Sequence, residues 1–283
     1  MEKFVYDFNE GTKDMKELLG GKGANLACMK NLGLPVPDGF TVTTTACNKY
    51  YMADKTIPTN VEEEIYKHLQ ALEKRTGKIL GDVNNPLLVS IRSGARSSMP
   101  GMMDTILNLG LNDEVAASFT KITNNKRFVY DSYRRLVMMF ADVVMGKDKS
   151  IFEEYLTNYK KQYGYLSDTD LTGDDWVNIL EKYKEIFQNL TGEPFFQDPA
   201  KQLIMAIGAV FRSWNNKRAI YYRKINNIPD DWGTAVNVQE MVYGNKNNNS
   251  GTGVAFSRNP ANGKNELFGE YLINAQREDV VAG

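Results

Sequence analysis

The segment from Pro86 to Gly110, PLLVSIRSGARSSMPGMMDTILNLG, constrains this chain more than any other stretch. It opens on Leu87, Leu88, Val89 and Ile91, a short apolar run that reads as a buried strand. It closes on a second alternating run, Thr105 to Leu109. Between them stand Ser, Gly, Ala, Met and Pro, a composition that predicts a loop and not the continuation of either strand. Arg92 and Arg96 sit at the mouth of that loop. Small residues let backbone amides approach a ligand closely. Successive amides in such a turn make a concavity that attracts anions, and arginine's planar fork matches phosphate oxygens. The same composition also fits a surface loop with two solvated arginines, so the segment needs company before it means phosphate.

A chain of 283 residues exceeds an average domain and can bury a sizeable core. Its formal net charge of -1 argues against nucleic acid or a membrane surface as partner. No apolar run approaches membrane-spanning length, and the first residues, MEKFVYDFNEG, have no signal-peptide core. Cys28 and Cys47 have neither metal nor redox spacing and read as reduced thiols, which sets a cytoplasmic expectation.

In chain order, Phe4 to Phe8 reads as a short strand. Gly20-Gly21-Lys22-Gly23 follows Leu18-Leu19 and precedes a helix-like run. A lysine in a glycine loop at a helix start suits a phosphate. It is not a Walker loop, because Lys16 occupies the place of the first glycine; taken alone, the four residues fit a flexible turn with a solvated lysine better. A strand over Phe40 to Thr44 leads to a helix capped by Thr44 or Thr45. Val61 to Arg75 is helical, with His68, the single histidine, exposed or half-exposed on it. Asn112 to Pro199 reads as helices, with Phe128 to Val144 making one wide apolar face from which Arg134 and Arg135 point as solvated charges. Asp174-Asp175 favours a helix start over a metal. Helices over Lys201 to Trp214 and Lys217 to Asn226 precede a strand over Gly233 to Tyr243. An Asn-rich and glycine-rich break and the turn Ser250 to Gly253 then lead to strands at Val254 to Phe256 and Glu266 to Leu272.

Taken together, LLGGKGANLA, GFTVTT, VSIRSGARSSMPGMMDTILNLGLND, FRSWNNKRAIYYR, DWGTAVNVQEMVYGN, SGTGVAFSRNP and GEYLINAQ resemble, in this order, the N-terminal part of the pyruvate, phosphate dikinases. The water-using phosphoenolpyruvate synthases share the GGK loop and an Arg-Ser element, but the long ARSSMPGMMDTILNLG form resembles the phosphate-using enzymes. The resemblance implies an α+β ATP-grasp fold with an inserted helical subdomain. A first lobe would span 1–111 and 198–243, the helices 112–197, and an incomplete second lobe 244–283. Residue by residue, Lys22 and Arg92 match the family's phosphate-contacting cations, and both would be catalytic. Gly101 and the turn Gly251-Thr252-Gly253 match its phosphate-side loops, and Glu240, Met241 and Val242 its adenine hinge. The implied route turns ATP, phosphate and pyruvate into AMP, pyrophosphate and phosphoenolpyruvate through a phosphohistidine domain and a pyruvate domain in a homodimeric full-length enzyme. Magnesium would be the cofactor, its ligands expected beyond Gly283 and none in this chain; His68 does not match the phosphohistidine motif. Arg277 stands where the family has glycine after NAQ. A catalytically inactive nucleotide-binding fragment, binding ATP weakly, is the alternative from the residues alone.

Overall fold

Five antiparallel strands form the sheet on which the rest packs, in the order Val5–Asp7, Gly39–Val42, Thr234–Glu240, Val89–Ala95 and Thr105–Leu109. In this computed structural model, which describes residues 2–276 and 280, the chain runs through β1 (Val5–Asp7), α1 (Lys16–Asn31), β2 (Gly39–Val42), α2 (Thr44–Met52) and α3 (Thr59–Thr76). A two-stranded pair, β3 (Ile79–Leu80) and β4 (Pro86–Leu87), precedes β5 (Val89–Ala95) and β6 (Thr105–Leu109). Helices α4 (Asp113–Thr123), α5 (Lys126–Met139, prolonged by a π turn over Phe140–Val144), α6 (Ser150–Tyr163) and α7 (Gly173–Thr191) follow. Then come α8 (Pro199–Ser213), α9 (Lys217–Ile225), β7 (Thr234–Glu240) and a separate hairpin of β8 (Gly251–Phe256) with β9 (Phe268–Ile273). The fold class is α+β. No described helix is long and apolar enough to cross a membrane. Cys28 and Cys47 are free thiols.

Alternation decides which face of the sheet is core. Phe40, Val42, Val89, Ile91, Ile106, Val236 and Val238 are buried in one apolar cluster with residues of α2, α3 and α8, such as Tyr50, Leu69 and Ile207. The cluster continues into α5 and α7 through Phe128, Tyr133, Trp176 and Phe187. Each such side chain contributes roughly 1.5–3 kcal/mol by leaving water.

Three local expectations change. The cap of α2 is Thr43, whose side chain accepts from the Ala46 amide, because Thr44 is already helical. His68 is buried, not exposed: its Nδ1 lies 2.7 Å from Asp7 Oδ1, and Arg75 donates to the other oxygen at 2.7 Å, tying α3 to β1. Arg134 is buried as well, 4.4 Å over the Trp176 ring and paired with Asp131 and Asp168, while Arg135 binds Asp131 from the same helix. The capping box of Thr172 and Asp175 opens α7.

Burial alone would push the Asp131 carboxyl up, but the charges and hydrogen bonds of Arg135 and Arg134 hold it down at about 2. A carboxyl with a depressed folded pKa contributes stability above its unfolded pKa and loses it as pH falls through the folded one. Asp131 therefore supports the fold fully above pH 4 and contributes progressively less toward pH 2, by about 2 kcal/mol in all. Urea unfolding measured between pH 5 and pH 2 should show that fall. An Asp131→Asn variant should lack that part of the slope; an unchanged slope would mean that the carboxyl does not titrate in this window.

Candidate functional site

The second face of the sheet is polar. Thr41, Ser90, Arg92, Gly94, Asn237 and Gln239 occupy the positions between the core residues, and strand pairing brings Arg92 opposite Asn237 and Ser90 opposite Gln239. Thr41 Oγ1 donates to Asn237 Oδ1 at 2.9 Å, and Gln239 Nε2 to the Pro37 carbonyl at 3.1 Å. Strand β5 continues to Ala95, six residues past Val89, because Ser93, Gly94 and Ala95 still pair with Val236, Ala235 and Thr234. The loop begins only at Arg96, later than the composition implied.

Helix α1 lies across this face at unusually close range. Gly20 breaks the helix with φ 68° and ψ 170°, and a Cβ there would stand 1.6 Å from the Gly94 carbonyl oxygen. A Cβ on Gly94 would in turn stand 2.7 Å from Asn237 Nδ2 and 3.5 Å from Lys22 Cβ. The glycine run is therefore a packing contact inside a helix, not a flexible turn, and Lys22 sits in the first turn after the kink. Gly23 meets Thr41 in the same way, at 2.9 Å from its hydroxyl.

The result is a cavity of about 710 Å³ lined by Lys16, Lys22, Arg92, Arg96 and Gly101, with no acidic residue among the described residues of its lining. The loop after β5 forms its rim. Met99 is buried with Trp214 and Ala219 in a second small apolar cluster, and Asn216 and Arg218 each donate to the Met102 carbonyl at 3.1 Å. A second cavity of about 430 Å³ shares Leu26, Met29 and Arg92 with the first, so the two make one cleft. Its apolar walls include Val36, Leu107 and Met241, and its edge carries Glu240, Val242, Gly251 and Thr252.

The structure thus brings together Lys22, Arg92, Gly101, Glu240, Met241, Val242, Gly251 and Thr252. Gly253 lines neither cavity; it is paired with Tyr271. Gly251 to Gly253 are the start of β8 and not a turn. The turn lies upstream, where Asn247 accepts from the amides of Asn249 and Ser250 and so lets the glycines run extended. Strand β7 ends at Glu240. The Glu240 carboxylate binds Lys78 at 2.7 Å, its amide donates to Asp38, and the Met241 amide donates to Leu88. Among the described residues no protein oxygen accepts from the Val242 amide. Lys16 and Arg96 complete the cationic end of the cleft. The sequence signal for that face was the alternation Ser90, Arg92, Gly94 against Val89, Ile91. Arg277 lies outside the described residues.

Asp7, Glu10 and His68 also bring ligand atoms within 4.8 Å of one another. Arg75 and Lys3 already neutralise that group, which lies apart from the cleft.

The family model described as "Pyruvate phosphate dikinase, AMP/ATP-binding domain" matches residues 16–57 and 51–283. The chain belongs to the pyruvate, phosphate dikinase family. A pyruvate, phosphate dikinase of Clostridium symbiosum is 57% identical over 284 residues, and one of Rhizobium meliloti 53% identical over 287. The chloroplastic pyruvate, phosphate dikinase 1 of Oryza sativa is 56% identical over 286 residues. All of this chain is covered in each case, against 32%, 32% and 30% of the relatives, so the chain spans about a third of their length. Within this dikinase family, the matched region takes in both the kinked glycine helix and the hinge.

Proposed function

We propose that the cleft binds ATP along the polar face of the sheet. Adenine lies between the apolar walls with its edge on the Val242 amide, and the phosphates extend past Arg92 and Lys22 toward the Gly101 loop. The observation that carries this reading is a continuous cleft, apolar at the hinge and lined at the other end by the four cations Lys16, Lys22, Arg92 and Arg96. Transfer of a phosphoryl unit spreads negative charge over oxygens, and fixed cations aimed at that charge lower the barrier. In ATP-grasp terms, 1–111 and 198–243 make the first lobe, 112–197 the helical subdomain, and residues from 244 onward belong to the second. In the whole protein, the β,γ-pyrophosphoryl unit of ATP passes to a histidine on another domain, releasing AMP. Phosphate then takes the γ-phosphoryl group as pyrophosphate, and the remaining phosphoryl group makes phosphoenolpyruvate from pyruvate.

The reaction calls for magnesium. Among the described residues lining the cleft, the only carboxylate is Glu240, and it faces Lys78. That donor set does not fit a magnesium ion.

Calorimetric titration of this chain with ATP tests the reading. Lys22→Ala should weaken binding about tenfold, the scale of one charged hydrogen bond. His68→Ala should leave the affinity unchanged while loosening α3 from β1. An absence of ATP binding, or a Lys22→Ala variant that binds as the parent does, would sink the proposal.

A further inference from the structure

Arg96 is half-buried in the cleft without a polar partner. Outside Arg92, the other described arginines that are buried or half-buried donate to protein oxygens. Arg127 donates to the carbonyls of Leu171 and Asp168, Arg134 and Arg135 to Asp131, and Arg223 to Asp230. Arg96 makes no hydrogen bond or ion pair among the described residues, and its Nε is buried with no acceptor. Its guanidinium rests only on the Trp232 ring, 5.4 Å from the centroid. Half-buried donors left unmatched are costly and rare in native proteins. A ligand oxygen would satisfy the accessible end of the fork.

Lys16 converges on the same place. Its Cε lies 3.6 Å from the position of a Cβ on Gly21, and the carbonyl oxygens of Ala95 and Arg96 lie 3.5 and 3.7 Å from that position. The lysine stem therefore folds across the start of the helix toward the end of β5, and no described carboxylate pairs with its amine. Ser97 and Ser98 line the cavity beside it. Neither Lys16 nor Arg96 lines the hinge cavity, whereas Arg92 lines both. The cleft thus has a cationic end beyond Arg92, where clustered like charge concentrates anions.

We infer that Arg96 and Lys16 form a second oxyanion subsite at the end of the cleft remote from the hinge, which takes an unesterified phosphate dianion. That dianion is either the terminal phosphoryl group of a nucleoside triphosphate or free phosphate. Only the first source rests on the nucleotide reading above.

The test is calorimetry of this chain with ATP, AMP and inorganic phosphate, repeated on Arg96→Met, Arg96→Lys and Lys16→Met. If the subsite holds the terminal phosphoryl group, Arg96→Met weakens ATP on the order of tenfold to a hundredfold and leaves AMP unchanged. If it holds free phosphate, the same variant weakens phosphate and spares ATP. Arg96→Lys, which keeps the charge but loses the fork, should recover part of either loss. Should Arg96→Met misfold, Lys16→Met gives the same comparison with the Trp232 contact intact. Equal weakening of ATP and AMP in a folded variant, or parent-like binding of all three ligands, overturns the subsite. Arg96-dependent phosphate binding by a chain that takes up no nucleotide would keep the subsite and sink the nucleotide reading. A parent chain that binds neither phosphate nor ATP removes both.

Discussion

Gly20→Ala is expected to cost about 4 kcal/mol or more and to lower the thermal midpoint by roughly 10 °C. Two effects add. The backbone at φ 68° and ψ 170° lies in a region that only glycine occupies without strain. The new methyl would also stand 1.6 Å from the Gly94 oxygen, and that neighbour is backbone in a strand paired on both sides, so it cannot yield alone. Either α1 lifts from the sheet or β5 leaves the ladder. Gly33 and Gly77 supply the contrast, since both have positive φ but a Cβ at either meets nothing within 4 Å. Alanine there should cost only about 1 kcal/mol. Thermal melts of the three variants separate strain from collision. Equal midpoints for all three would show that the close approach of α1 to β5 has been misjudged.

Arg92→Met should slow the ATP half-reaction of a full-length protein carrying this chain by on the order of a hundredfold or more, the scale for removing one preorganised charge-stabilising donor. Arg92 lines both cavities, so in the binding mode proposed above it would meet the phosphate chain. Phosphorylation of pyruvate from an already phosphorylated histidine should be nearly unaffected, because that step does not use this cleft. Rates of the two half-reactions measured separately decide the matter. A loss of equal size in both would speak for damaged folding and against a phosphate role.

What was legible in the sequence was local. Alternation in Val89, Ile91, Phe40 and Val42 marked strands, and Asp174-Asp175 marked a helix start. What failed to show depended on distant partners. The glycines before Lys22 read as flexible because Gly94, which requires Gly20, lies in another element. Arg134 read as solvated because Asp168 and Trp176, which bury it, lie in other elements. His68 read as exposed because Asp7 lies across the chain. The segment after Gln239 was visible as a strand end, but only the hydrogen bonds of the Glu240 and Met241 amides to Asp38 and Leu88 show that the Val242 amide is the first without a described acceptor. Arg96 stood out beside Arg92 from the start. Its lack of an acceptor emerges only once the cleft closes around it.

The middle strand of the main sheet is also the last of its five to be made. Strands β2 and β5 are not neighbours, and β7 pairs with both. During synthesis, each earlier strand pair keeps one unpaired edge until residues 234–240 emerge. At roughly 5–20 residues per second, the interval between β5 and β7 lasts on the order of ten seconds. Throughout that time the nascent chain carries open edges that invite pairing with other chains. Joining strands so far apart in sequence makes closure slow for reasons of loop entropy alone. The cleft, which needs Asn237 and Gln239 beneath it, cannot form before β7 inserts.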